Sequence, residues 1–166
     1  GLVDSEMCIR DRNKVERMYD EVTVKSLEIG KGSILCEGGD VAILACGVMV
    51  GVAKEASSKL LEEGLRATVV DMHTIKPLDE ELVKRLAAEC KLIVTVEDHS
   101  VIGGLGGAVA EYLSENIPTR LRRVGVRDRF GESGQAEEML ENAAGVSLSA
   151  STCFTFSISD TYSNIT

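Results

Sequence analysis

The sequence predicts an α/β fold: a doubly wound, mostly parallel sheet of four to five strands, with helices on both faces. Three observations carry this. Continuous apolar runs alternate with helix-period segments four times in succession between residues 41 and 141. Such runs mark strands buried on both faces, and their alternation with helices calls for parallel pairing through right-handed crossovers. Hydrophobic residues make up 44% of the 166-residue chain but aromatics only 4%, so the core must be aliphatic, as a helix-covered parallel sheet requires. Finally, helix caps and stop signals stand at the joints between these segments.

Residues 1–12, GLVDSEMCIRDR, show no periodicity and read as a non-native leader. Residues 13–40 alternate weakly and are cut by Gly30, Gly32, Gly38 and Gly39, the pattern of a linker with a short hairpin. VAILACG (41–47) is the first buried strand. Val52, Ala53, Ala56, Leu60 and Leu61 then recur at helical spacing, and Gly64 stands where a C′ glycine ends a helix. ATVVDMH (67–73) is the second strand. Asp79 is an N-cap, with Glu80 and Glu81 in the first turn, where the helix dipole favours negative charge. LIVTVEDH (92–99) is the third strand. Leu105, Ala108, Val109, Tyr112 and Leu113 make the cleanest amphipathic pattern, closed by Pro118. LRRVGV (121–126) is the fourth strand, and Ser133 caps a last helix over 135–141. Residues 143–166 break the scheme: they are Ser/Thr-rich, almost uncharged, and read as a disordered or out-of-frame tail.

The net charge of −9 argues against nucleic acid as a partner, because phosphate-backbone binding needs clustered Lys and Arg. No apolar run approaches membrane-spanning length. The five cysteines (Cys8, Cys36, Cys46, Cys90 and Cys153) contain no C-x-x-C pair, which speaks against a zinc or redox motif and for a reducing, cytoplasmic compartment.

Ligands of a parallel sheet gather at the carboxyl ends of its strands. There the sequence places Cys46, then Asp71, His73 and Lys76, then Glu97, Asp98 and His99, then Arg127 and Arg129. The segment Gly103-Gly104-Leu105-Gly106-Gly107 follows the third strand. It fails the dinucleotide fingerprint, since Val109 stands at the third glycine position, and it lacks a P-loop ending. Its glycines suit a sharp turn and a close helix–sheet approach, although a helix starting there also offers free N–H groups to an anion. His73, Lys76, Glu97, His99, Gly103, Gly104, Gly106, Gly107, Arg127 and Arg129 are therefore candidates for an interface or an anion site. No pattern supports a metal site or a catalytic nucleophile, and Glu97 and Asp98 read as partners in buried salt links or an interface. The basic run Arg120, Arg122, Arg123, Arg127 and Arg129 is a solvated or interface set by default, and an anion clamp on the sharper reading.

Three segments together resemble the C-terminal domain of transketolases: VVDMHTIKPLDEEL (69–82), IVTVEDHSVIGGLGGAVAEYL (93–113) and VGVRDRFGESGQAEEML (124–140). RNKVERMYDE (12–21) resembles the end of the pyrimidine-binding domain that precedes it in that family. The resemblance implies four parts: the leader 1–12, the end of the pyrimidine-binding domain and a linker over 13–37, the C-terminal-type domain over 38–142, and the atypical tail 143–166. It implies a parent enzyme of the pentose phosphate pathway that uses thiamine diphosphate and magnesium to move a two-carbon ketol unit between sugar phosphates, and that forms a dimer. 1-Deoxyxylulose-5-phosphate synthase and the beta subunits of 2-oxo acid dehydrogenases share such a domain. The family's diphosphate-binding G-D-G segment and its cofactor-activating glutamate are not in this sequence. No catalytic, cofactor-binding or metal-binding residue carries over. The expected role is domain packing and dimerisation, with the pyrimidine- and diphosphate-binding domains or subunit as partners and no cofactor bound by this chain alone.

Overall fold

The structure, a computed structural model, describes residues 17–128 and 158–165. In chain order the elements are α1 (Glu21–Val24), β1 (Ser33–Cys36), β2 (Val41–Ala45), α2 (Met49–Glu62), β3 (Ala67–Asp71), α3 (Glu80–Glu89), β4 (Leu92–Ser100), α4 (Leu105–Asn116) and β5 (Leu121–Val126). The five strands form one sheet in the order β1-β3-β2-β4-β5. β2 runs parallel to both β3 and β4, and β4 parallel to β5; β1 alone is antiparallel, on β3. Four parallel strands joined by α2, α3 and α4 are the doubly wound sheet that the alternating pattern called for.

The period of two along each strand sorts the core into two layers. Val41, Ile43, Ala45, Val69, Val94 and Val96 pack against Val52, Ala53, Ala56 and Leu60 of α2. Ala42, Leu44, Val70 and Ile93 face the other way, against Val83 and Leu86 of α3 and Leu105, Val109 and Leu113 of α4. β2 lies central, and all five of its residues are fully buried. That explains why its sequence is uninterrupted by polar residues. The joints behave as read. Gly64 takes φ +85 behind α2, where a side chain would be strained. Asp79 caps α3, its Oδ1 accepting from Leu82 N at 3.2 Å. Its Oδ2 also accepts from Gly32 N at 3.0 Å, so the same cap tethers the lead-in segment.

Two expectations need correction. The lead-in forms no hairpin among its described residues: Asp20 caps the single turn α1, and Ser33–Cys36 becomes an edge strand on β3. The sheet therefore begins within the span read as linker. Four half-buried residues flanked by glycine carry too little periodicity to reveal a strand. The tail is also not free of structure where it is described. Residues 158–163 are helical, with Ile158 fully buried and Tyr162 nearly so against the α2 face. Lys91 Nζ sits 5.6 Å from the Tyr162 ring centre, and Ser159 donates to Glu63. The Ser/Thr-rich composition hid two apolar anchors four residues apart. The expected leader, the capped helix over 135–141, Arg129 and residues 143–157 lie outside the described residues.

Candidate functional site

The winding reverses between β2 and β4, because α2 crosses one face of the sheet while α3 and α4 cross the other. At such a reversal the carboxyl ends of two adjacent strands part and leave a crevice, the usual ligand position of an open α/β sheet. The residues at that position here are Cys46, after β2, and Glu97, in β4. Both are buried, Cys46 at 7% exposure and Glu97 at 1%.

Glu97 defines the site. Its Oε2 accepts from Leu105 N and its Oε1 from Gly106 N, each at 2.8 Å. These are N–H groups of the first turn of α4, left without intrahelical partners. The anion-binding end of α4 is thus filled by the chain's own carboxylate, reached from eight residues upstream. The charge meets the positive end of the helix dipole, and both carboxylate oxygens are satisfied. The salt link expected of Glu97 is replaced by this buried cap: among the described residues no Lys or Arg pairs with it.

The glycines explain how the carboxylate fits. A Cβ on Gly104 would come 1.9 Å from Glu97 Oε2. One on Gly106 would come 2.8 Å from Thr95 Oγ1 and 3.0 Å from the Arg123 side chain. One on Gly125, in β5, would come 3.1 Å from Glu97 Cγ. Gly103 makes the turn itself, at φ +76. Gly107 is different: the nearest atom to its Cβ position is Val101 O at 3.8 Å, an ordinary contact. Three glycines from two elements therefore make room around one buried acid and its helix.

The other edge residues do not converge on this point. His73 is exposed, with Nδ1 3.1 Å from Thr74 Oγ1, and His99 and Lys76 are exposed as well. Arg127 is exposed beyond β5. No three His, Cys, Asp or Glu side chains come together as metal ligands among the described residues. Two positions escaped the sequence reading. Gly125 looks like an unremarked break in a valine strand. Tyr19, in the lead-in, donates from its hydroxyl to Asp71 Oδ2 at 2.8 Å, fixing the chain's entry to the carboxyl end of β3.

The electrostatics of the edge are negative. The Cys46 thiol is pushed up to about 11, by burial first and then by the charges of Glu97, Asp71 and Asp98. Burial also raises the Asp98 carboxyl, with His99 pulling the other way. The Tyr19 phenol is raised to about 12 by burial and by its bond to Asp71. These surroundings hold the Cys46 thiol protonated near neutral pH.

Together these features define a class: a doubly wound α/β domain in which a buried carboxylate of β4 caps the helix that follows it. Residues 30–149 match the transketolase C-terminal domain family, and the chain belongs to that family. It is 50% identical over 141 residues to a 6-deoxy-6-sulfo-D-fructose transketolase subunit from Clostridium sp. (strain MSTE9), covering 85% of this chain and 42% of the relative. It is 47% identical over 131 residues to a putative transketolase C-terminal section from Methanocaldococcus jannaschii, covering 78% and 40%. Among solved structures, a split-gene transketolase described as an inactive beta4 tetramer superposes with a TM-score of 0.74 at 41% identity, covering 84% of this chain and 44% of that one. The chain thus spans about two fifths of the length of these relatives. Among the described residues, no helix is long and apolar enough to cross a membrane.

Proposed function

We propose that this chain is the C-terminal portion of a transketolase-type enzyme of the cytoplasm. In that reading it supplies domain packing and dimer contacts, while the chemistry sits on pyrimidine- and diphosphate-binding domains carried elsewhere. The parent reaction is transfer of a two-carbon ketol unit between sugar phosphates, with thiamine diphosphate and magnesium supplied by the parent. The observation that carries the reading is the Glu97 cap: the helix end best suited to a diphosphate is already neutralised by a buried carboxylate. The described residues therefore do not fit the cofactor, and no step of the reaction is routed through them.

A second parent has support of its own. A 1-deoxy-D-xylulose-5-phosphate synthase from Syntrophus aciditrophicus is 48% identical over 116 residues, covering 68% of this chain but 18% of the relative. The same domain role applies there.

The test is reconstitution. The full chain alone turns over no ketose phosphate with thiamine diphosphate and magnesium present. Joined to, or mixed with, the missing domains of a close relative, it restores activity. Turnover by the isolated chain would overturn the reading, as would full activity of the upstream domains without it.

A further inference from the structure

Six large apolar side chains are exposed among the described residues: Val22, Val24, Ile29, Val48, Leu61 and Ile102. Scattered singly, such residues need no explanation. Here five of the six belong to one edge of the sheet. Val48 follows the carboxyl end of β2, and Ile102 that of β4. Val22, Val24 and Ile29 belong to the lead-in, which Tyr19 fastens to Asp71 at the carboxyl end of β3. β3, β2 and β4 are direct neighbours, so their carboxyl ends share one rim. Leu61 alone lies elsewhere, in the last turn of α2, which leads to the amino end of β3.

α1 is the odd element on that rim. It has no buried residue, and Val22 is 78% exposed. A turn of four residues is too short to be held by helix propensity alone. Beside it lies an open concavity of about 390 Å³, with Met18, Tyr19 and Val24 in its lining. The outward faces of α2 and α3 are of another kind. Lys54, Glu55 and Glu62 are exposed on the first, and Glu81, Lys84 and Arg85 on the second, the pattern of helix faces that stay in water.

The course of the chain says what covers the rim. Residues 12–21 are the stretch that resembles the end of a pyrimidine-binding domain. The described part of that stretch is already seated here: Met18 packs against the α2-side core, and Tyr19 bonds to Asp71. A domain ending in this stretch is delivered to this edge and to neither helical face.

We propose that the upstream pyrimidine-binding domain docks on the carboxyl rim of the sheet, over α1 and its concavity, with Val48 and Ile102 as further apolar contacts. The inference rests on the transketolase-type reading and adds to it the surface by which this domain is held.

The test compares amide hydrogen exchange in the full chain alone and in the full chain fused behind the portion of the Clostridium subunit that it does not cover. Amides of residues 19–24, 47–49 and 101–103 are expected to exchange about tenfold more slowly in the fusion. Those around Leu61 keep their rates. Val24→Asp and Ile102→Asp return the rim of the fusion to the faster exchange, and Leu61→Asp does not. In the chain alone each variant keeps the urea midpoint of the parent, because the side chains are exposed, so unfolding is not the cause. No added protection at the rim overturns the proposal, as does protection centred on the outward faces of α2 or α3. Equal effects of Leu61→Asp and Ile102→Asp overturn it too. Ketol transfer is not the readout here. A fusion that is active but unprotected at the rim refutes this surface alone, and one that is protected but inactive refutes the activity alone.

Discussion

Substituting the four glycines of the Gly103–Gly107 segment one at a time by alanine separates a packing turn from a ligand cradle. Gly104→Ala places a methyl 1.9 Å from Glu97 Oε2, with the carbonyl of Ser100 at 2.8 Å on another side. Neither the backbone nor a 1%-exposed side chain has room to yield, so the carboxylate must leave the helix end. Two charge-assisted bonds are then lost, at about 1.5–3 kcal/mol each, for a cost of about 3–5 kcal/mol after partial relaxation. That is a large share of the ~5–15 kcal/mol typical of a domain. Gly106→Ala meets Thr95 Oγ1 and the flexible Arg123 stem at 2.8–3.0 Å and costs less, about 1–3 kcal/mol. Gly103→Ala meets nothing within 4 Å but keeps φ +76, for about 1 kcal/mol. Gly107→Ala has space inside a helix and is neutral or stabilising by up to about 1 kcal/mol. Urea unfolding of the four variants reads this order directly. Equal costs at Gly104 and Gly107, or a Gly104→Ala protein as stable as the parent, would refute the close-approach reasoning.

Further predictions concern the groups around that turn. Glu97→Gln keeps one acceptor but turns an amide donor toward the second N–H, so it should destabilise by about 2–3 kcal/mol in the same unfolding assay. Leu60→Ala, a fully buried side chain of the α2 layer, should cost about 2–5 kcal/mol. The Tyr19 pKa lies near 12 when folded against 10.0 for an ordinary phenol, so its contribution is fully present below pH 10 and lost as pH rises toward 12. Tyr19→Phe should flatten that alkaline loss in a stability–pH series. Cys46, raised to about 11 from 9.0, carries about a hundredfold less thiolate than an ordinary thiol near neutral pH. Timed iodoacetamide labelling with peptide mapping should find it modified well after the half-buried Cys36.

Much of the fold was legible because each parallel strand is buried on both faces and so is written as an apolar run. Residues 121–126 are the predicted fourth strand without change, and Asp79 and Gly64 sit at the ends they were assigned. What stayed hidden depends on contacts distant in sequence. β1 is a strand because Val69 to Asp71 offers it an edge, and its own four residues do not announce that. The packed helix at 158–163 is held by Ile158 and Tyr162 against α2, a contact that Ser/Thr-rich composition does not encode. At the site, the glycine turn and Glu97 were each visible, but not their pairing. A carboxylate eight residues before a helix is not a recognised cap in sequence, and only the sheet geometry brings it to Leu105 and Gly106. Arg122 and Arg123 are neighbours in β5 and leave opposite faces, and where each is held depends on partners distant in sequence, Thr161 and Val101.

The most direct measurement follows the amides of Leu105 and Gly106 while thiamine diphosphate and magnesium are titrated into the full chain. The account predicts that both remain unmoved, because Glu97 already holds their N–H groups and the chain supplies packing to a larger enzyme. A saturable shift of these two amides, with cofactor bound by this chain alone, would contradict it.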